Sequence, residues 1–172
     1  CRCAGLKPSA VVIVATVRAL KMHGGALKNE LAVEDLSALE KGLPNLLRHI
    51  ANIRDVYKLP SVVALNRFPT DTEAEVDLVI NKCRELGVNT VLSDVWAKGG
   101  SGGTDLAREV VRLCSDEQDS NRFAYSYELE GSIQDKINAI VTRIYGGTGT
   151  VFTPAALKDI TRLSSIGCDD MP

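Results

Sequence analysis

The chain has 172 residues, 45% of them hydrophobic, which is one domain's worth of polypeptide with material for a buried core. Lys and Arg number 20 against 22 Asp and Glu, a formal net charge of −2, and no basic run interrupts that balance, so a nucleic-acid-binding surface is excluded as an expectation. The apolar run Ala10 to Val17 is too short to span a bilayer and lacks a secretory cleavage pattern, so a cytoplasmic protein without a membrane partner is expected. Cys1, Cys3, Cys83, Cys114 and Cys168 are an odd, scattered set with no C-x-x-C pair. They read as reduced thiols packed as small apolar residues, with no metal site. A start on Cys1 and a stop at Met171-Pro172 without a polar tail read as an internal piece of a longer protein.

In chain order, Ala10–Thr16 predicts a first buried strand, short, rich in Val and Ile and apolar without alternation. A polar, basic, glycine-terminated loop, Arg18–Gly25, follows it. From Val33 to Tyr57, Leu36, Leu39, Leu43, Leu46, Leu47 and Ile50 recur at helical spacing, with Glu34 and Asp35 suited to the helix N-terminus. Pro44 inside this stretch predicts a kink or two helices in tandem. Ser61–Leu65 predicts a second buried strand. A helix from about Asp71 to Leu86 follows, capped by Thr70 or Thr72 and stopped by Gly87. Thr90–Leu92 predicts a third strand and Thr104 to Cys114 a third helix. Alternating strands and helices of this kind define an α/β fold, a parallel sheet with helices covering both faces.

After Ser115 the composition changes, and residues 1–115 and 116–172 are expected to be separate parts, the second mostly helical. Asp116 to Arg122 reads as a linker, Phe123 to Leu129 as a short strand and Ser132 to Tyr145 as a helix. The turn Gly146-Gly147-Thr148-Gly149 precedes a last helix, Pro154 to Ser165, with Gly167 as its stop.

Ligands of open α/β sheets bind outside the carboxyl ends of the strands. Three loops qualify there: Arg18–Gly25, Asn66–Thr72 and Ser93–Gly103. In the first, Arg18, Lys21 and His23 place positive charge and one imidazole on a single turn that ends in Gly24-Gly25. His23 reads either as a structural hydrogen-bonder or as a titrating group, and His49, beside Arg48 on the long helix, as a solvated or subunit-contact residue. In the second, the Asn66 amide suits a purine edge or an Asx turn. Phe68, locked in extended backbone by Pro69, is a core residue or a ligand platform. In the third, Trp96 is the only tryptophan and reads as a stacking surface or as a rim residue. Its glycine stretch could cradle a phosphate, but Lys98 precedes the glycines and no G-x-x-x-x-G-K-[ST] occurs.

The run Val14-Ala15-Thr16-Val17-Arg18-Ala19-Leu20-Lys21-Met22-His23-Gly24-Gly25 resembles, at every position, a signature of the formate–tetrahydrofolate ligases. The segments Leu39–Leu46, Asn66–Glu75 and Trp96–Gly100 are similar to that family in order and spacing, and Tyr145-Gly146 and Phe152-Thr153-Pro154 more loosely. Residues 146–151 depart from the family's acidic turn. The resemblance covers essentially the whole chain. It implies a P-loop NTPase-like fold and an ATP-dependent ligase that joins formate to tetrahydrofolate through formyl phosphate, commonly as a homotetramer.

By the same resemblance, Phe68 and Trp96 match the two aromatics that sandwich the folate ring, while the ATP phosphate site, with its Mg2+, lies upstream. Part of the purine pocket would come from Asn66, Ser93 and Lys98. On their charge alone, and not from the resemblance, Arg67 or Lys98 would meet the folate glutamate tail. Arg18, Lys21, His23, Gly24 and Gly25 are signature members without an assigned role, and a monovalent cation is left open. The piece alone is expected to be inactive. The alternatives are the same ligase domain within a multifunctional one-carbon folate enzyme, and a nucleotide switch on a P-loop-like fold.

Overall fold

Four consecutive residues of one strand, Val62, Val63, Ala64 and Leu65, are buried, which only the middle of a sheet covered on both faces achieves. In the computed structural model, which describes residues 2–115 and 123–172, that strand is β2 (Ser61–Asn66), flanked by β1 (Val11–Ala15) and β3 (Asn89–Ser93). All three are parallel in the order β1-β2-β3, with Val12 beside Val62 and Leu65 beside Leu92. Between β1 and β2 lie α1 (Val17–His23), α2 (Leu36–Ala51) and a π turn at Asn52–Val56. α3 (Glu73–Glu85) joins β2 to β3, and α4 (Val95–Lys98), a 3-10 stretch and α5 (Thr104–Cys114) follow. These elements form one unit, Pro8–Arg122.

Its core lies on one face of the sheet. Ile13, Ala15, Val63, Leu65 and Leu92 meet Val17 and Leu20 of α1, Leu39, Leu43, Leu46 and Ile50 of α2, and Val76, Val79 and Cys83 of α3. Each fully buried Val or Leu contributes roughly 1.5–3 kcal/mol by its removal from water. On the other face α5 packs against β2 and β3, and none of its own residues is buried. Val12 and Val14 stay 39% and 62% exposed. Complete coverage of both faces therefore holds for β2 and fails for β1, an edge strand over whose outer face no described helix of this unit packs.

The segment read as a loop at Arg18–Gly25 is a helix. Thr16 caps α1 by accepting from the Ala19 N–H at 3.1 Å, and Gly24 ends it. Pro44 does not divide α2, which runs through it. Pro44 and Glu40, whose carbonyl loses its partner, are both exposed, so water satisfies what the proline removes. α2 starts after Val33 because Asp35 is its cap, accepting from the Ala38 N–H at 2.8 Å. The strands and α5 lie within a residue or two of their expected places, and α3 is capped by Thr72.

α1 and α2 touch through glycine. A Cβ on Gly24 would stand 1.7 Å from the Ala38 carbonyl oxygen, and one on Gly42 would stand 1.8 Å from that of Leu20. Gly24 of the signature is therefore a packing residue. Gly25, at φ +100°, makes the turn that leaves the helix.

The second unit comprises Cys1–Lys7 and Phe123–Pro172. It holds α6 (Ile133–Ala139), prolonged by a π turn at Ile140–Ile144, and α7 (Pro154–Ser165). Ser132 and Asp135 cap α6 reciprocally, and Thr153 caps α7 ahead of Pro154. Phe123–Leu129 is not a strand. The Arg2 guanidinium lies 3.9 Å from the Tyr125 ring centroid and donates to the Tyr127 carbonyl, while Arg143 donates to the Ser126 carbonyl at 2.8 Å. Arginine side chains thus occupy carbonyls that a neighbouring strand would have bonded. The expected linker Asp116–Arg122 lies outside the described residues.

Cysteine usage also differs from expectation. Among the described residues only Cys83 is a buried cysteine, and burial pushes its thiol up, whereas Cys3 and Cys114 are exposed and Cys168 half-buried, all four of them free.

Candidate functional site

At the carboxyl ends of β2 and β3 the apolar sequence stops and the polar residues begin. Asn66 and Ser93, the last residues of the two strands, are register partners, and the Arg67 N–H donates to the Ser93 carbonyl at 3.4 Å. Asn66 is exposed and Ser93 buried. Just beyond them a cleft of about 270 Å³ opens, lined by Arg67, Phe68, Pro69, Asp94, Trp96, Ala97 and Lys98. Phe68 is half-buried and Trp96 is 86% exposed. The two aromatics make no ring contact with each other, and each offers surface to the cleft.

The loop carrying Phe68 is held from several sides. Asp71, which is 5% exposed, accepts from the Phe68 N–H at 2.9 Å, and its own N–H returns to the Phe68 carbonyl at 3.0 Å. This reciprocal pair of hydrogen bonds and Pro69 fix the backbone on either side of the ring. The Arg18 guanidinium lies 4.3 Å from the ring centroid and donates to Thr70 Oγ1 at 3.0 Å. On the opposite wall, Gly102 leaves room for the Asp94 backbone, which a Cβ would meet at 2.5 Å, and its carbonyl accepts from the Asp94 N–H. The glycine stretch therefore braces the start of α4.

Both cations on the cleft rim already hold carboxylates of the chain. Arg67 pairs with Glu73, and Lys98 with Asp94 at 2.8 Å, which holds the Asp94 carboxyl below the usual range. An anionic ligand tail would have to displace one of these partners. The exchange costs little, because the pairs are largely exposed.

The opening signature does not present one basic turn. The structure divides it three ways: Arg18 reaches toward Phe68, His23 points into solvent, and Lys21 is buried. Lys21 Nζ donates to Glu75 Oε1 at 2.7 Å and to the Val33 carbonyl at 2.8 Å. Although burial raises the Glu75 carboxyl, hydrogen bonds from Lys21 and from the N–H groups of Asp35 and Thr72 outweigh it and hold the group below its ordinary value. Lys21 thus joins helices and takes no part in the cleft.

Glu75 and Asp71 are the residues that sequence reasoning left out. The capping-box spacing Thr72-x-x-Glu75 pointed to the first. Nothing local pointed to the partnership of Glu75 with Lys21, fifty-four residues earlier. A larger cavity, about 460 Å³, lies wholly within the second unit among Tyr127, Ile133, Lys136, Ile140, Leu163 and Met171, all of them outside the motifs that point to chemistry. Among the described residues no three or more His, Cys, Asp or Glu side chains cluster as metal ligands, and no helix is long and apolar enough to cross a membrane.

A three-stranded parallel sheet flanked by helices, with a cleft lined by Phe68 and Trp96 beyond its strand ends, defines the chain as an α/β protein. The formate–tetrahydrofolate ligase family model matches residues 1–172, the full length of the chain, and the chain belongs to that family. The family is ATP-dependent, with formate and tetrahydrofolate as substrates.

Proposed function

We propose that this chain supplies the folate-binding wall of a formate–tetrahydrofolate ligase. The observation that carries this reading is the pairing of Phe68 and Trp96 across one 270 Å³ cleft beyond β2 and β3. A reduced pterin is planar and donor-rich, and two aromatic faces bury it with little loss of side-chain freedom. The exposed Trp96 ring has a use in this reading, since a ligand would cover it. Asn66 and Ser93 at the strand ends, with Lys98 nearby, would contribute part of the purine pocket for ATP.

In the proposed reaction, a formate oxygen attacks the γ-phosphorus of ATP and displaces ADP, and the folate amine then attacks the carbonyl carbon of formyl phosphate, releasing phosphate and a proton. The chain's own residues contribute by positioning: stacking sets the height and tilt of the pterin, so that its amine meets the electrophile along one path. Charge neutralisation on the phosphoryl group and the binding of ATP phosphates would belong to the phosphate site that the family resemblance implies outside these residues. A cytoplasmic homotetramer is the expected assembly.

The test is steady-state kinetics on the intact enzyme. Phe68→Ala and Trp96→Ala should each raise KM for tetrahydrofolate about tenfold or more, in line with the loss of one aromatic stacking face. KM for ATP and formate should stay within twofold. Unchanged folate KM in both variants would overturn the reading.

A further inference from the structure

Arg18 belongs to the signature but lies outside the cleft, and its contacts are unusual for an arginine. The guanidinium sits over Phe68, 4.3 Å from the ring centroid, and Nη2 donates to Thr70 Oγ1. Among the described residues it has no carboxylate within ion-pair distance, and its Nε is buried without a hydrogen-bond partner. Arginine carries five donors in a fork suited to carboxylates, and a buried donor left unpaired is costly. A guanidinium that forgoes both is placed for the ring.

Asp71 and Pro69 already fix the Phe68 backbone, so the ring's remaining freedom lies in its side-chain torsions. Arg18 removes it. Phe68 lines the cleft and Arg18 does not, so the cation and the cleft meet different parts of the ring surface.

We propose that Arg18 is a positioning residue for the folate-binding aromatic pair, clamping Phe68 in the orientation that lines the cleft. A cation on one face also draws ring electron density toward itself and leaves the rest of the ring better matched to an electron-rich reduced pterin. This inference rests on the folate reading above.

The test is a double-mutant cycle on the intact enzyme with Arg18→Met, Phe68→Ala and the double variant, each checked for its melting temperature. Arg18→Met should raise KM for tetrahydrofolate about fivefold, the loss expected for one cation–ring contact, with kcat and the other two KM values within twofold. In the Phe68→Ala background Arg18→Met should add less than twofold, because the ring it acts through is gone. Arg18→Lys, which keeps the charge without the planar fork, should recover part of the loss, and it carries the test alone if Arg18→Met does not fold.

A raised folate KM in Phe68→Ala with none in the Arg18 variants overturns the role of Arg18 and leaves the folate reading standing. So do effects that simply multiply in the double variant. An unchanged folate KM in Phe68→Ala overturns the folate reading and this inference with it.

Discussion

Replacing Lys21 by Met should be among the most damaging single changes in the α/β unit, although it removes no residue of the cleft. Lys21 and Glu75 side chains are 1% and 0% exposed and lie 2.7 Å apart. Glu75 also accepts from the N–H of Asp35, the cap of α2, at 3.0 Å and from that of Thr72, the cap of α3, at 3.1 Å. One carboxylate thus ties α1 to the starts of two further helices. Lys21→Met leaves it buried with two backbone donors and no countercharge, and breaking such a pair from one side costs about 3–5 kcal/mol.

In a domain of this size that corresponds to a melting temperature lowered by roughly 10–15 °C. Lys21→Met/Glu75→Gln should be more stable than Lys21→Met alone, since the neutral amide still accepts from a backbone N–H and no charge is stranded. Urea unfolding followed by circular dichroism at neutral pH gives both numbers. A loss below about 1 kcal/mol for Lys21→Met, or strictly additive effects in the double variant, would refute the reasoning. The pH dependence has a definite sign. The Glu75 carboxyl is lowered on folding, so its stabilisation is present above the ordinary glutamate value of 4.5 and lost as pH falls below it. Without Lys21, burial acts with less opposition, so this acid-dependent loss should shrink or change sign.

Gly42→Ala would put a Cβ 1.8 Å from the Leu20 carbonyl oxygen and must part α1 from α2. A loss of about 3 kcal/mol or more is expected in a thermal melt, and a neutral result would contradict the close helix contact. Trp96→Ala should leave stability within about 0.5 kcal/mol, because the ring is 86% exposed, while tetrahydrofolate binding falls. Matched losses of both would mark Trp96 as structural. Glu109 is held down to about 2 by its hydrogen bond from Arg112, with Asn89 as a second donor. Its contribution is present above pH 4.5 and fades as pH drops toward 2, and in Glu109→Gln urea midpoints that part of the acid dependence should vanish.

What the sequence by itself determined are the features whose signals are local. Val and Ile runs without alternation marked the strands, the repeat of Leu39, Leu43, Leu46 and Ile50 marked the buried face of α2, and Pro154 and the threonines at 70 and 72 marked helix starts, the choice between the two threonines being left to the fold. The family signature and the aromatics Phe68 and Trp96 were legible in the same way, as residue types out of keeping with the strands before them.

Tertiary structure decided the rest, because each of those features depends on a partner far away in the chain. The signature became a helix, its lysine buried and its glycine pressed against another backbone, once Glu75, Ala38 and Gly42 were brought beside it. Pro44 stayed inside a continuous helix because its face meets water, and Phe123–Leu129 stayed out of a sheet because arginine side chains took its carbonyls. Local propensity sets what a segment can form. Which side chains share a cleft, and which charge is buried against which, depends on packing between distant segments, and here that placed Arg18 behind the ring of Phe68.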